Sequence, residues 1–508
     1  MGGADMNLAK VLTSRARWKD KAKRRGSRIR GLHKAATAHD TRRAPDAVTR
    51  EEVRRLHAEI ARLRAERHPG TPAVAHTGSA MARRTLCVTM VIRGIVSFRA
   101  VPRLLAVFVP LLRTTVAIPH FTSVIHWTLR VGVALFQQVA LTSGAWLAII
   151  DCSIDVGTRK ALVVLRIPLE ALQTKGGAVG LHDCECIGLE VSHTWNGWLI
   201  STALGTIFGR AGYPVAIIKD GGLDLNKGIE LLRVHTPERP IPVIDDIGHY
   251  TANALKATFA TDDRFVRFLK IVSRGASRIR QTRLAWLLPP KIRSKARFHS
   301  ITAVATWAQH LLEFLGGPGR AKAGTDVHLA RTSFAGLAPL RPFLTGFCQV
   351  AALCEEMQHV LKTQGLNQAT YGLATKTLDQ LPDACLVKTR LLAWCEKHIR
   401  LHRALGMGDL RLLVSSDIIE SLFGKFKTII QRNPLAELNR LSYIIPLLCG
   451  LHAPAEIDQA LQACSQVEML HHIERTIPHT LRQQRGEALA NRPETVPKSG
   501  NVSAPGTG

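Results

Sequence analysis

The sequence has few acidic residues relative to basic ones, and it lacks a cysteine framework. It contains 39 Asp and Glu against 68 Lys and Arg, a formal net charge of +29. Its ten cysteines are too few and too scattered for a disulfide scaffold in 508 residues, and none forms a Cys-x-x-Cys pair. We therefore expect a reducing compartment. No apolar segment follows the basic residues of the N-terminus, so no secretory signal is predicted.

The sequence also lacks the features that usually indicate a zinc site or a membrane span. Residues 182–186 (His-Asp-Cys-Glu-Cys) include zinc-ligand types, but no second Cys/His pair stands at a finger spacing. A half-buried strand with incidental thiols is therefore favoured over a zinc site. Residues 131–150 are uncharged and long enough to span a bilayer. Gln137 and the polar residues 142–144 divide them into a predicted helix, turn and strand, which disfavours membrane insertion.

The composition favours a folded chain with a polyanionic partner. A hydrophobic content of 46% argues against general disorder, and the length allows roughly two to four domains. Phosphate backbones are the most economical explanation of the positive charge, because each neutralised phosphate releases counterions and strengthens binding. A membrane surface or a ribosomal partner fits the charge equally well, so charge alone does not choose among them.

Three acidic residues stand in settings that suit a metal site. Asp151 ends an apolar run (Trp-Leu-Ala-Ile-Ile), Asp220 ends a second (Pro-Val-Ala-Ile-Ile-Lys), and Glu420 lies in a predicted amphipathic helix. A carboxylate at the tip of a buried strand is rigidly aimed, and several converging carboxylates can hold Mg²⁺, which prefers oxygen ligands. Each acid alone is more often a turn, cap or solvated residue. Their combination favours an RNase H-like catalytic core.

The neighbours of these acids extend the pattern. Residues 152–165 predict a strand, a Gly-containing turn and a second strand, which together form a hairpin. Gly221 and Gly222 follow Asp220 and let the backbone approach a ligand closely. Further on, Asp246 and His249 form an Asp-x-x-His motif at the start of a predicted helix.

This ordered set resembles the DDE transposases of bacterial insertion sequences over roughly residues 85–445. The shared order is strand-Asp, hairpin, helix, strand-Asp, strand, long insertion and helix-Glu. The Asp246-x-x-His249 motif is similar to a signature of several DDE superfamilies, the hAT transposases among them. The resemblance implies an α/β RNase H-like core with a mixed sheet, an N-terminal helical DNA-binding region and a large all-α insertion.

The activity that the resemblance implies is cleavage of DNA at insertion-sequence ends and transfer of the freed 3′-hydroxyl to target DNA. Asp151, Asp220 and Glu420 would hold two Mg²⁺ or Mn²⁺ ions about 4 Å apart, with Asp151 bridging both. Asp246 and His249 are predicted to be structural partners; ordering of the DNA end is the alternative. Element-end and target DNA are the expected partners, bound by a homo-oligomer in the bacterial cytoplasm, at the nucleoid, without stable membrane association. A catalytically inactive DNA-binding descendant and a basic membrane-associated protein are the alternative functions.

The sequence divides into six expected segments. They are a basic arm with a short coiled-coil-like helix (1–70), a helix-turn-helix-like domain (81–140), the first part of the core (145–252), the all-α insertion (253–413), a C-terminal core helix with a helical tail (414–483) and a disordered tail (484–508). The arm carries 19 Lys and Arg against 8 acidic residues. Its apolar a/d spacing fits a lone amphipathic helix as well as a coiled coil.

Several residues are candidate DNA contacts outside the acidic motifs: Lys427, Arg130, Trp286, Arg293 and Arg297. Lys427 follows Glu420 by seven residues and therefore shares its helical face. Trp286 lies among basic residues, as in proteins that bind distorted DNA ends. The alternatives are a solvated Lys427, a core Trp286 and, for residues 81–140, an ordinary helical hairpin.

Overall fold

The structure of the chain is a computed structural model that describes residues 77–112, 116–142, 144–152, 159–175, 178–291, 298, 301–316, 326–430, 438–477, 479 and 481–490. The chain divides into two compact units, Met1–Thr77 and Gly78–Gly508, and the description concerns the second. The expected basic arm and coiled coil, most of the C-terminal tail, and the candidate contacts Arg293 and Arg297 lie outside the described residues.

A mixed five-stranded sheet forms the centre of the described chain, in the order β3-β2-β1-β4-β5. The strands are β1 (Trp146–Asp151), β2 (Lys160–Pro168), β3 (Glu185–Ser192), β4 (Ala216–Lys219) and β5 (Val243–Asp245). β1 pairs antiparallel with β2, and β2 with β3, whereas β4 runs parallel to β1 and β5 parallel to β4. This mixed sheet with its many helices fits the α/β core that the sequence predicts.

The helices are numbered in chain order. They are α1 (Thr77–Ile92), α2 (Ala100–Leu111), α3 (Phe121–Gln137), α4 (Leu169–Lys175), α5 (Gly197–Ala211), α6 (Leu223–His235), α7 (Ile247–Phe259), α8 (Asp263–Ile279), α9 (Ile301–Gly316), α10 (Val327–Phe334), α11 (Arg341–Gln364), α12 (Gln368–Asp379), α13 (Leu386–Ala404), α14 (Asp417–Ile430), α15 (Pro454–Ala463), α16 (Gln466–Thr476) and α17 (Leu481–Ala490). A 3-10 helix, Arg440–Leu448, precedes α15.

The sheet separates two hydrophobic cores. All six residues of β1 are buried, which explains its continuous apolar run. Alternate side chains of a strand point to opposite faces, and accordingly Ala148 and Ile150 join the core that contains side chains of α5 and α6. Leu147 and Ile149 join the larger core, to which α3, α14 and the helices after β5 contribute. The sheet is therefore covered on both faces, and its strand ends are left to carry polar chemistry.

Helix α3 is buried against the C-terminal part of the chain. It packs on the 3-10 helix Arg440–Leu448, on α15 and on α16. Gly132 permits this approach, because a Cβ there would lie 1.8 Å from the carbonyl oxygen of Tyr443. The side chain of Arg130 also points inward, and its Nε donates to the carbonyl oxygen of Cys464 at 2.7 Å. Contacts with the C-terminal helices therefore cover part of the second helix of the predicted helix-turn-helix, whose role in DNA binding stays a prediction.

The described residues between Phe259 and Asp417 form helices α8 to α13, joined by turns and short 3-10 segments. Helix α7 runs without a break through residue 253, so the expected boundary of the insertion falls inside a helix. Helices α11 and α13 both pack on α7. The insertion is thereby joined to the core through the same helix that follows β5.

One helical stretch in the described ranges, Val327–Gln364, is long and apolar enough to cross a membrane by length and composition, and 44% of its most apolar window is buried. A core helix of a soluble protein passes the same test, so this is weak evidence for a membrane span. Residues 131–150, the earlier membrane candidate, form the end of α3, a connection and β1. The polar residues in that segment predict this division.

Candidate acidic site at the sheet edge

Two of the three predicted acids lie side by side at the carboxyl end of the sheet. Asp151 is the last residue of β1, and Asp220 directly follows β4. In the parallel pairing of these strands, Ile150 is opposite Lys219, so the next residue of each strand is an aspartate. Asp151 is buried and Asp220 is half-buried. The two strands therefore place Asp151 and Asp220 at neighbouring positions at the same end of the sheet.

Glycines shape the loop that carries Asp220. The backbone N–H of Gly222 donates to Asp220 Oδ1 at 2.9 Å. A Cβ on Gly222 would lie 3.0 Å from that same oxygen, so the absence of a side chain lets the loop close on the carboxylate. Burial raises the pKa of the nearby Cys152 thiol, and the charges of Asp151 and Asp220 raise it further. Negative charge is thus concentrated around this strand end.

Asp246 joins the end of β5 to the start of the Glu420 helix. Its carboxylate caps α7 by accepting from the backbone N–H of His249 at 2.6 Å. It also accepts from the backbone N–H of Ser416 at 2.6 Å and from the Ser416 hydroxyl at 3.0 Å. Burial opposes ionisation of Asp246, but hydrogen bonds from His249 and Ser416 outweigh it and hold the pKa of Asp246 well below its usual range. A charged, fully hydrogen-bonded aspartate fixes both segments.

His249 lies between Asp246 and Glu420. Its Nδ1 is 3.1 Å from Asp246 Oδ1, and its Nε2 is 3.8 Å from Glu420 Oε1. The hydrogen bond to Asp246 raises the pKa of His249 to about 9, and the charges of Asp220 and Glu420 contribute to that increase. The imidazole is therefore protonated at neutral pH. His249 thereby links Asp246, at the start of α7, to Glu420 in α14.

Glu420 lies in the first turn of α14. The backbone N–H groups of Ile419 and Glu420 donate to the carbonyl oxygen of Ser416, so the contact of Ser416 with Asp246 sets where this helix starts. The Glu420 side chain is 55% exposed. Partial burial raises its pKa, and the positive charge of His249 lowers it. Glu420 thus faces solvent on one side and the protonated imidazole on the other.

A second network ties the end of β5 to the insertion. Asp245 accepts from Lys219 Nζ and from Lys397 Nζ, each at 2.6 Å. Its backbone N–H donates to His398 Nε2 at 3.0 Å, and His398 Nδ1 donates to the carbonyl oxygen of Trp394 at 2.7 Å. This pattern requires a neutral imidazole, and burial lowers the pKa of His398 to about 4. Helix α13 is in this way attached to the edge strand of the sheet.

The acidic site comprises Asp151, Asp220 and Glu420 together with Asp246 and His249. Its three predicted ligands supply the carboxylate oxygens that a hard divalent cation takes, which fits Mg²⁺ or Mn²⁺ in donor type. In the described part of the chain, however, no group of three or more His, Cys, Asp or Glu side chains is arranged closely enough to hold a metal ion. Asp151 and Asp220 are adjacent, whereas Glu420 is turned to His249.

The remaining predicted contacts lie in different surroundings. Lys427 is exposed on α14, and its contact with DNA stays a prediction. Trp286 is 49% exposed and has its ring centroid 6.2 Å from that of Phe314 in an edge-on arrangement. Arg130 hydrogen-bonds to the carbonyl oxygens of Cys464 and Leu461 near the end of α15. This arginine therefore makes an internal contact, and its assignment to a DNA-facing surface stays a prediction.

Two residues that contact the acidic site or its helix could not be identified from the local sequence. Ser416 binds Asp246 from 170 positions away, and nothing in its local pattern distinguishes it from other helix-start serines. Lys362, from α11, has its Nζ 2.9 Å from Asp417. A lysine in an amphipathic helix is normally solvated. Only the tertiary structure shows that the insertion supplies a cation to Asp417, one helical turn before Glu420.

A regular row of cations lies on α8, in the insertion. Helix α8 buries Phe265, Phe268 and Val272 on one side. The basic stripe on its other side consists of exposed residues at helical spacing: Arg267, Lys270, Arg274 and Arg278. Residues three, four or seven apart share a helix face, so these side chains form one continuous positive surface.

No family model matches the sequence, and no curated protein matches it. Among solved structures, the chain is similar to a chain of the Drosophila P element transposase strand transfer complex. The two chains are 11% identical, the match covers 82% of this chain and 100% of that one, and the TM-score is 0.38. At this TM-score the likeness carries no argument about function.

Proposed function

We propose that this protein is a metal-dependent DNA nuclease and strand transferase of the DDE transposase type, built on an RNase H-like core. One observation carries the proposal: Asp151 ends β1, Asp220 follows the adjacent parallel strand β4, and the Asp246–His249 pair links the start of α7 to Glu420. Carboxylates converging from two strands and a helix suit two-metal chemistry at phosphorus. Insertion-sequence origin remains part of this proposal.

Each residue of such a site would have a distinct role. Asp151 and Asp220 would be metal ligands from the sheet, and Glu420 would complete the set from α14. When bound, Mg²⁺ or Mn²⁺ would activate the attacking oxygen and stabilise the leaving one. His249 keeps Glu420 oriented, because its own position is fixed by the buried Asp246 carboxylate.

The basic stripe of α8 is the surface that we assign to DNA. Its four side chains are exposed and lie on a helix whose other side is core. Contacts between such cations and phosphates release counterions and give binding without sequence preference. Sequence-dependent recognition of element ends would then fall to other parts of the chain.

The first prediction tests the three carboxylates. Asp151→Asn, Asp220→Asn and Glu420→Gln should each reduce Mg²⁺-dependent nicking of supercoiled plasmid DNA. The loss should exceed the roughly 10–100-fold that removal of an outer-shell partner costs, because an amide keeps the shape but loses the anionic ligand. Affinity for a 30-base-pair duplex should remain near that of the wild type, since the phosphate contacts lie elsewhere.

Two matched controls come from neighbouring acids. Asp224 is exposed in the first turn of α6, and Asp224→Asn should nick DNA like the wild type. If Asp417→Asn loses nicking while Glu420→Gln retains it, the third ligand is one helical turn away from our assignment. A wild-type protein that binds DNA but never nicks it with Mg²⁺ or Mn²⁺ would support the inactive DNA-binding alternative.

A further inference from the structure

Lys362 brings a positive charge from the insertion to the acidic site. It lies near the C-terminal end of α11, and its Nζ is 2.9 Å from both carboxylate oxygens of Asp417. Its Nζ would be 3.0 Å from a Cβ on Gly248, so the missing side chain of Gly248 makes room for the ammonium group. Asp417 lies one helical turn before Glu420 on α14. This lysine is therefore within electrostatic range of a predicted catalytic carboxylate.

An open cavity adjoins Lys362. It has a volume of about 800 Å³ and lies between α7, α9 and α11. Gly248 and Lys362 line it, and its other polar lining includes Thr302, His310, Gln358 and Glu355. Sites that bind small molecules occupy roughly 300–1,000 Å³. One nucleotide of a nucleic acid strand fits such a space.

The ion pair of Lys362 is suited to exchange. The Asp417 side chain is 52% exposed, and that of Lys362 is 28% exposed. Ion pairs that water can reach contribute little to stability. A phosphate that approaches Glu420 can therefore replace Asp417 as the partner of Lys362 at small cost, and the lysine can stay close to its present position.

We propose that Lys362 binds a backbone phosphate of the DNA strand next to the cleaved bond, and that the cavity behind it receives the adjoining nucleotide. This inference rests on the proposed nuclease function, which it deepens by naming a phosphate contact that the insertion supplies. Asp417 holds the lysine in place until DNA arrives. The insertion then takes part directly in binding the reacting strand.

Binding measurements separate this role from a purely structural one. The probe is a fluorescent DNA duplex with a single-stranded extension, titrated by anisotropy in Ca²⁺ over a series of KCl concentrations. Lys362→Met should weaken binding several-fold and reduce the slope of log affinity against log salt by about 0.7–0.9, the value for one phosphate contact. Lys362→Arg should restore most of the slope. Lys376→Met, at an exposed lysine of α12, is the matched control and should change neither quantity.

Asp417→Asn decides between the two roles of the lysine. If Lys362 serves only to fix Asp417, both variants should weaken binding equally. Our proposal expects the opposite for Asp417→Asn, namely unchanged or tighter binding, because the lysine is released to the phosphate. Equal losses in the two variants would overturn the proposal, as would an unchanged salt slope in a Lys362→Met protein that melts at the wild-type temperature.

Methylphosphonate substitution locates the contact. Neutralising the phosphates of the extension one at a time should identify a position where wild-type affinity falls and Lys362→Met affinity does not fall further. The absence of such a position would contradict the proposal. An excess of free nucleoside monophosphates should not displace the probe, and displacement would mean that the cavity takes a free nucleotide instead. Plasmid nicking by the wild type is scored separately, so failure of the nuclease assignment is distinguishable from failure of the Lys362 contact.

Discussion

Helices α3 and α8 both lie in regions where the sequence predicts DNA contacts, but their basic residues have opposite surroundings in the structure. Helix α3 is covered by the C-terminal helices, and its Arg130 is bound to backbone carbonyls of the same chain. Helix α8 buries one face and presents the basic stripe on the other. A cation on a helix that is apolar on most sides is an internal contact, whereas cations on a sharply amphipathic helix form a surface.

The largest effect on stability should come from adding a side-chain carbon where α3 packs tightly against the C-terminal part of the chain. Gly132→Ala places a Cβ 1.8 Å from the carbonyl oxygen of Tyr443, and two backbones must separate to relieve the clash. Overpacking a core typically costs about 1–3 kcal/mol, and we expect at least the upper value here, measured by urea unfolding. Gly209→Ala is the control. It lies exposed in α5 with no atom within 4 Å of the added Cβ, so it should stabilise by about 0.5–1 kcal/mol. Equal stability of both variants would mean that α3 is not buried.

The next-largest effects should come from arginine substitutions that distinguish the role of α3 from that of α8. Arg130→Met removes hydrogen bonds from a charged donor and should lower the free energy of unfolding by about 1.5–3 kcal/mol, while leaving the salt slope of DNA binding unchanged. The double variant Arg267→Met, Arg274→Met should do the reverse: unchanged stability and a slope reduced by about 0.9 for each lost phosphate contact. A reduced salt slope of DNA binding in Arg130→Met would show that α3 contacts DNA.

The smallest effect concerns the attachment of the insertion to the sheet. His398 has its pKa lowered to about 4 in the folded chain, against about 6.5 when unfolded. The unfolded chain therefore binds the proton more readily between these values. Stability should be complete above about pH 6.5 and decrease progressively as the pH falls towards about 4.

His398→Gln provides the control for that pH dependence. A glutamine cannot titrate, and its carbonyl can still accept from the backbone N–H of Asp245. Denaturant unfolding at pH 5 and 7 should therefore differ less in this variant than in the wild type. Hydrogen exchange of the Asp245 amide gives a local readout, because this amide donates to His398. A wild-type slope that persists in His398→Gln would assign the acid sensitivity to other groups.

The sequence predicted the elements of the acidic site better than their connections. The apolar runs ending at Asp151 and Asp220 predict two strands, and burial of both faces of each strand follows from these continuous runs. Helix α14 follows from its amphipathic pattern around Glu420. These are local properties, and local physics is enough to infer them. The expected mixed sheet and the helical stretch after β5 rest on the same kind of evidence.

The contacts that complete the site depend on distant parts of the chain. Ser416 was part of the predicted helix segment, but its bond to Asp246 spans 170 positions. The pairing of Lys362 with Asp417 is likewise a product of how the insertion folds back. The contacts of α3, the second helix of the predicted helix-turn-helix, depend on distant residues in the same way. Helix α3 packs on the 3-10 helix Arg440–Leu448 and α15, more than 300 residues later.

The double contact of Asp246 makes the helical insertion a closed loop. The carboxylate caps α7 at one end, and it holds Ser416 at the other. Nearby, the backbone N–H of Ile247 donates to the carbonyl oxygen of Val414. The entropy of closing a loop grows only slowly with its length, by roughly 0.6 kcal/mol for each doubling. Once one buried carboxylate fixes both ends, the length and content of the intervening chain can diverge during evolution while the spacing of Asp220 and Glu420 is preserved.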